Sequence, residues 1–141
     1  MKKSHILVIV QFALIFVIAL YCGVWGNWWQ NLVTIMAFCL GIWAVYTMHF
    51  AVNISPEIRQ KQQLFTGGPY RFIRHPMYLA VLLATAVWVG NNFSFISVGL
   101  WTLLLVDLLI KLHYEERLLT KHFADYKKYT KHTKKLVPFV Y

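Results

Sequence analysis

Hydrophobic residues fall into four long runs separated by short polar breaks. The first, residues 6–24, is interrupted only by Gln11, and the second, 28–52, carries no Lys, Arg, Asp or Glu. The third, 77–90, begins directly after Pro76, and the fourth, 93–112, holds Asp107 and closes on Lys111-Leu112. A bilayer core about 30 Å thick needs about 20 apolar residues as helix. Runs one, two and four meet that length. The third reaches only about 20 Å at 1.5 Å per residue, so it is expected to tilt, to thin the bilayer locally or to begin inside a cytoplasmic-side cavity. Asn91-Asn92 reads as a tight hairpin between the last two runs. Beyond it, Leu119, Phe123 and Tyr126 recur at helical spacing with Lys121, Lys127, Lys128 and Lys131 on the other side. That pattern predicts an amphipathic helix over 113–132, either lying on the membrane or folded back over the loop between runs two and three. The expected fold is all-α and integral to the membrane, with four transmembrane helices, in one domain over 1–141.

Composition agrees with lipid as the solvent. Of 141 residues, 59% are hydrophobic and 13% charged, against about 25% charged in a soluble domain. A chain this short cannot bury such a surplus in one soluble core, and intrinsic disorder is excluded by the same numbers. The net charge of +9 would suggest nucleic acid in a soluble protein. Here every Lys and Arg lies before run one, between runs two and three, or from the end of run four onward. If four helices cross, all of that charge falls on one side, and the positive-inside rule puts both termini and the central loop in the cytoplasm of a cell inner membrane. Trp25, Trp28 and Trp29 suit the aromatic belt of the opposite interface. Cys22 and Cys39 sit inside apolar runs and read as packing residues. Tyr21, and the lack of an A-x-A site, argue against cleavage after run one.

Within the runs, Ala37 and Gly41 form a small-xxx-small pair that admits a close helix neighbour, and Gln11, Asn31, Thr34 and Thr47 are expected to hydrogen-bond between helices. Candidate chemistry collects in two places at the basic end. One is Gly67-Gly68-Pro69-Tyr70-Arg71-Phe72-Ile73-Arg74-His75-Pro76-Met77-Tyr78; the other surrounds Glu115-Glu116. Asp107, Lys111 and Glu115 share a helical face at i, i+4 and i+8, which suggests an ion-pair ladder. Two adjacent carboxylates at a bilayer boundary are costly unless each has a partner or a task. Pro76 suits a first helical turn, and a helix start beside Arg71, Arg74 and His75 could receive an anion. No set of His, Cys, Asp or Glu has metal-ligand spacing, and neither G-x-G-x-x-G nor a P-loop occurs.

Gly68-Pro69-Tyr70, then Arg74-His75-Pro76-Met77-Tyr78, then Glu115-Glu116-x-x-Leu119-x-x-x-Phe123, then Tyr126, Tyr129 and Pro138 resemble the isoprenylcysteine carboxyl methyltransferase family, which is related to the phospholipid methyltransferases. The resemblance covers residues from about 60 to 141. It implies a membrane enzyme that uses S-adenosylmethionine bound at a cytoplasmic-side pocket, with the C-terminal helix folding over it, and a lipophilic small-molecule or lipid acceptor as substrate. By position, Tyr70, His75, Pro76, Met77, Tyr78, Glu115 and Glu116 would bind the cofactor. Leu64 would join them from the weaker stretch 62–65. Arg74 and Lys111 would orient the acceptor, Lys111 standing where that family has an arginine. Ala80 and Ala124 replace glycines of the family pattern. Two other readings compete: an NADPH-dependent enzyme of the sterol-reductase kind, and a non-enzymatic adaptor whose basic face binds anionic lipid.

Overall fold

The computed structural model describes residues 3–49, 64–138 and 141. Among them lie five α-helices and no β-strand: α1 (Lys3–Cys22), α2 (Trp28–Thr47), α3 (Pro76–Asn91), α4 (Phe95–His122) and α5 (Tyr126–His132), with a 3₁₀ turn at Gly68–Arg71. Helices α1, α2 and α4 are each long and apolar enough to cross a membrane. Helix α3 has 16 residues, about 24 Å of rise.

Local sequence explains where the helices stop. Helix α1 ends where Gly23 takes a left-handed φ of 76°, a conformation glycine adopts without steric cost. Helix α2 opens with the Gln30 side chain accepting from Asn27 N at 2.7 Å. It ends at Thr47, ahead of His49 at φ 49°. The helical part of the second run is therefore shorter than 28–52; residues 50–52 lie outside the described residues.

Packing reverses the pattern of a soluble protein. Phe12, Phe16, Leu32, Ile42, Leu103 and Ile110 are exposed, while Gln11, Gln30, Thr85, Ser97, Asp107 and Lys111 are buried. Between helices in lipid there is no hydrophobic drive, so association rests on close packing and polar contacts. Gln30, Ala37 and Ala44 recur every seven residues along the buried face of α2, the period of a helix seam. On the same helix, a Cβ added to Gly41 would stand 3.7 Å from the Ala80 Cβ of α3, so the small-residue pair does bring α2 onto α3.

At one end the hairpin ties the helices together. Asn91 Nδ2 donates to the carbonyls of Gly23 (3.1 Å) and Trp25 (3.3 Å), and Asn92 Nδ2 donates to that of Tyr21 (3.1 Å). The end of α1, the start of α2, the end of α3 and the start of α4 thus meet, and Trp25, Trp28 and Trp29 are exposed around them.

Three expectations need correction. Of the four polar residues expected to join helices, only Gln11 does so among the described residues: Asn31 bonds Gly26, Thr47 donates to Trp43 O on its own helix, and Thr34 Oγ1 finds no partner there. Short polar side chains reach nearby backbone before they reach a neighbouring helix. Nor is there an ion-pair ladder along α4 among the described residues. Lys111, 1% exposed, donates instead to Gln11 Oε1 on α1 and stands 5.3 Å from the Tyr78 ring centroid. Spacing permits an i, i+4 pair, but burial against α1 offers the lysine a different acceptor. Finally, 113–132 is not one helix. Ten residues of continuous helix would separate residues 116 and 126 by about 15 Å, yet Tyr126 Oη donates to Glu116 Oε1 at 2.6 Å. The chain therefore reverses after His122, and α5 folds back.

Removing one member of the Lys111–Gln11 pair strands a buried ammonium. Gln11→Leu is expected to lower unfolding stability in detergent by about 3 kcal/mol, and adding Lys111→Met should restore most of the loss. A double-mutant cycle by thermal unfolding checks this; additive losses would contradict it.

Candidate active site

The site forms where the turn ahead of α3 meets the last turns of α4. The turn is pressed against α2: Gly68 has φ 53°, and a Cβ there would lie 2.4 Å from Thr47 Oγ1. Pro69 follows in the first positions of the 3₁₀ turn, and Tyr70, buried, donates its hydroxyl to Met48 Sδ at 3.0 Å. Pro76 opens α3 with His75 as its N-cap. From the other side, α4 is 28 residues long, about 42 Å. It outruns a bilayer core by more than two turns, so Glu115 and Glu116 stand beyond its apolar stretch.

His75 joins the two acids. Its Nε2 lies 3.0 Å from Glu116 Oε1 and its Nδ1 lies 3.4 Å from Glu115 Oε2. Both ring nitrogens face carboxylate oxygens, which accept only, so the doubly protonated imidazolium satisfies the geometry and a neutral ring would oppose one lone pair to another. Burial by itself would lower the His75 pKa, but hydrogen bonds to Glu115 and Glu116 and their negative charge outweigh it and raise it above the ordinary 6.5. The ring also stacks on Tyr78, centroids 5.3 Å apart and planes within 10°.

The two carboxylates differ in what they have left to offer. Glu116 is saturated. Arg74 grips it through Nε at 2.8 Å and Nη2 at 3.2 Å, and His75 and Tyr126 both donate to Oε1. Such forked, charge-assisted bonds are strong and directional. Burial tends to raise the Glu116 pKa, but these donors, His75 first, hold it at about 2. Burial and the adjacent Glu116 push the Tyr126 phenol well above its usual range, so it remains a donor. Among the described residues Glu115 takes one full hydrogen bond, from Tyr78 Oη at 2.5 Å, and its side chain is 19% exposed. It therefore keeps acceptor capacity for a ligand.

The C-terminal segment closes over the turn. Tyr129 Oη donates to Tyr70 O, Arg74 Nη1 to Thr133 O, Arg74 N to Lys134 O at 2.8 Å, His75 N to Lys135 O at 3.0 Å, and Lys134 N to Phe72 O at 3.1 Å. Burial first, with the Glu116 charge adding to it, pushes the Tyr129 phenol up to about 12. Of the residues singled out from the sequence, Tyr70, Arg74, His75, Pro76, Tyr78, Glu115 and Glu116 belong to one continuous group, and Lys111 reaches it through the Tyr78 ring. Met77 is half-buried in the first turn of α3, and Leu64 is half-buried upstream. Residues 62–63 lie outside the described residues. Thr133 was not anticipated: its contact with Arg74 spans 59 positions and is made by its backbone as much as by its side chain, which no local pattern announces.

The family model for phospholipid methyltransferases matches residues 25–126. The chain belongs to this family. No curated protein and no solved structure matches it. The matched stretch contains α2, α3, α4 and the whole His75–carboxylate network out to Tyr126; α1 and residues 127–141 fall outside it. Membership agrees with the R-H-P-x-Y and E-E-x-x-L resemblance and marks the protein as a membrane methyltransferase.

The network carries opposed titrations. Glu116, held at about 2 against an ordinary 4.5, contributes stability that is complete above pH 4.5 and is lost as pH falls toward 2. His75, raised above 6.5, contributes stability that is complete below pH 6.5 and is lost as pH rises through its elevated pKa. Thermal unfolding in detergent is therefore expected to peak between pH 4.5 and 6.5. Glu116→Gln should cost about 3–5 kcal/mol there and flatten the acid limb. An unchanged pH profile in that variant would contradict the assignment.

Proposed function

We propose that the protein transfers a methyl group from S-adenosylmethionine to a lipophilic acceptor, a carboxylate, thiol or amine, at the cytoplasmic face of a membrane crossed four times, with both termini on that side. The observation that carries this reading is the unequal condition of the two acids: Glu116 spends its oxygens on the scaffold, whereas Glu115 is positioned by Tyr78 and its side chain stays partly exposed. The residues fit a cationic donor, since a carboxylate with spare acceptor capacity suits an ammonium or sulfonium centre. When bound, the cofactor supplies an electrophilic methyl on a sulfonium.

The chain's own contribution is alignment, the main requirement of an in-line displacement. Glu115 holds the cofactor's cationic end, and Tyr78 fixes the Glu115 carboxylate. Tyr70, His75, Pro76 and Met77 form the adjoining wall, with Leu64 upstream. Lys111 uses one of its three N–H groups on Gln11 and retains others to draw the negative group of an acceptor entering from lipid. We assign Arg74, whose guanidinium is occupied by Glu116 and Thr133, to holding the scaffold rather than the acceptor. A carboxylate or thiolate acceptor, already ionised, needs no general base, and a neutral amine would attack through its lone pair and release its proton to water afterwards, consistent with a site whose histidine is engaged on both nitrogens.

Calorimetry on detergent-purified protein tests the reading with S-adenosylhomocysteine. Wild-type protein is expected to bind, and Glu115→Gln to weaken binding about 10- to 100-fold, the range for one hydrogen bond to a charged group, while unfolding at nearly the wild-type temperature. Enriched membranes given methyl-labelled S-adenosylmethionine should pass the label to a lipid-soluble species. Absence of both binding and transfer would overturn the proposal.

A further inference from the structure

The segment that closes over the site is also the most basic part of the chain. Residues 126–141 carry five lysines and no acidic residue. Lys127, Lys128, Lys131 and Lys134 are exposed, and so are the apolar side chains of Phe72 and Val137 beside them. Lys134 adjoins Phe72 directly, through the bond from its N to Phe72 O. The segment is anchored to the apolar bundle: Leu136 is buried and belongs to the same hydrophobic cluster as Leu108 and Leu112. Exposed lysines interleaved with exposed apolar side chains at the rim of a lipid-facing bundle match the chemistry of an anionic headgroup layer, which attracts cations and admits apolar side chains.

This surface is joined mechanically to the site. The backbone that bears the lysines supplies the carbonyls that bind Arg74 N and His75 N, and Thr133 O receives the Arg74 guanidinium. We propose that the strap Tyr126–Leu136 docks on anionic lipid headgroups, and that docking holds Arg74 and His75 in place, so that the lipid charge of the surrounding leaflet sets how well the site is assembled. Arg74 and His75 are the residues being positioned; the four lysines act through the strap and touch neither of them with their side chains.

The test uses the full-length chain in nanodiscs of phosphatidylcholine alone or with added phosphatidylglycerol, read by amide hydrogen exchange. Phosphatidylglycerol is expected to slow exchange at the Arg74 and His75 amides about fivefold or more, the factor that one surface lysine can contribute. Exchange in α1 and the middle of α4 should stay constant, and high salt should cancel the effect. The variant carrying Lys127→Gln, Lys128→Gln, Lys131→Gln and Lys134→Gln should match wild type in phosphatidylcholine and ignore phosphatidylglycerol. Equal exchange in both lipids, or a response retained by the variant, overturns the inference. S-adenosylhomocysteine affinity, the part that rests on the proposed function, should tighten in parallel. An exchange response without any binding would leave the strap intact and remove the methyltransferase reading of the site, so the two failures are distinguishable.

Discussion

One imidazole between two carboxylates holds the two halves of this site in register. His75 closes the loop before α3, Glu115 and Glu116 stand just beyond the apolar stretch of α4, and the imidazole and the two carboxylates are one another's partners. Two like charges on adjacent residues at a bilayer edge repel and resist desolvation; a cation touching both turns that liability into a joint. Arg74 reinforces it from the loop and Tyr126 from α5, which is why the chain reverses after α4 instead of continuing as helix. The division of labour follows from saturation. Four donor groups from three residues consume Glu116, and what is left of the pair's capacity for a ligand resides on Glu115.

Much of the architecture was legible because it depends on local or periodic signals. Apolar length marked the three long spans, Asn91-Asn92 marked the hairpin, and the Ala37–Gly41 spacing marked the seam against α3. The convergence of the histidine–proline turn on the paired acids followed from the joint motif. What was illegible depended on partners far apart in sequence. Lys111 had two carboxylates within one helical turn on either side and chose an amide 100 residues away, because helix rotation, which spacing does not encode, faced it toward α1. The fold-back over the loop was one of two open readings, but the attachment of residues 133–135 was hidden for a related reason: most of their bonds to the loop are made by backbone groups, which every residue carries alike.

The buried polar residues of the spans share a logic with the site. In lipid, an interior Gln, Ser or Lys is tolerated only where it has a protein partner, and Gln11, Ser97 and Lys111 have one. Lys111 links the two domains of this logic, since one donor holds α1 to α4 while its charge lies over the ring of Tyr78, the same ring that stacks on His75. Lys111 thus ties the α1–α4 contact to the charged cluster at the basic end of the bundle.

The central claim is that His75 is an imidazolium shared by Glu115 and Glu116. Nitrogen chemical shifts of the His75 ring, recorded on isotope-labelled protein in lipid at pH 6.5, test it directly. An isolated imidazole would be half protonated there; the account predicts that both ring nitrogens of His75 carry protons in most molecules. A predominantly neutral ring, with one nitrogen showing the shift of a bare lone pair, would contradict it.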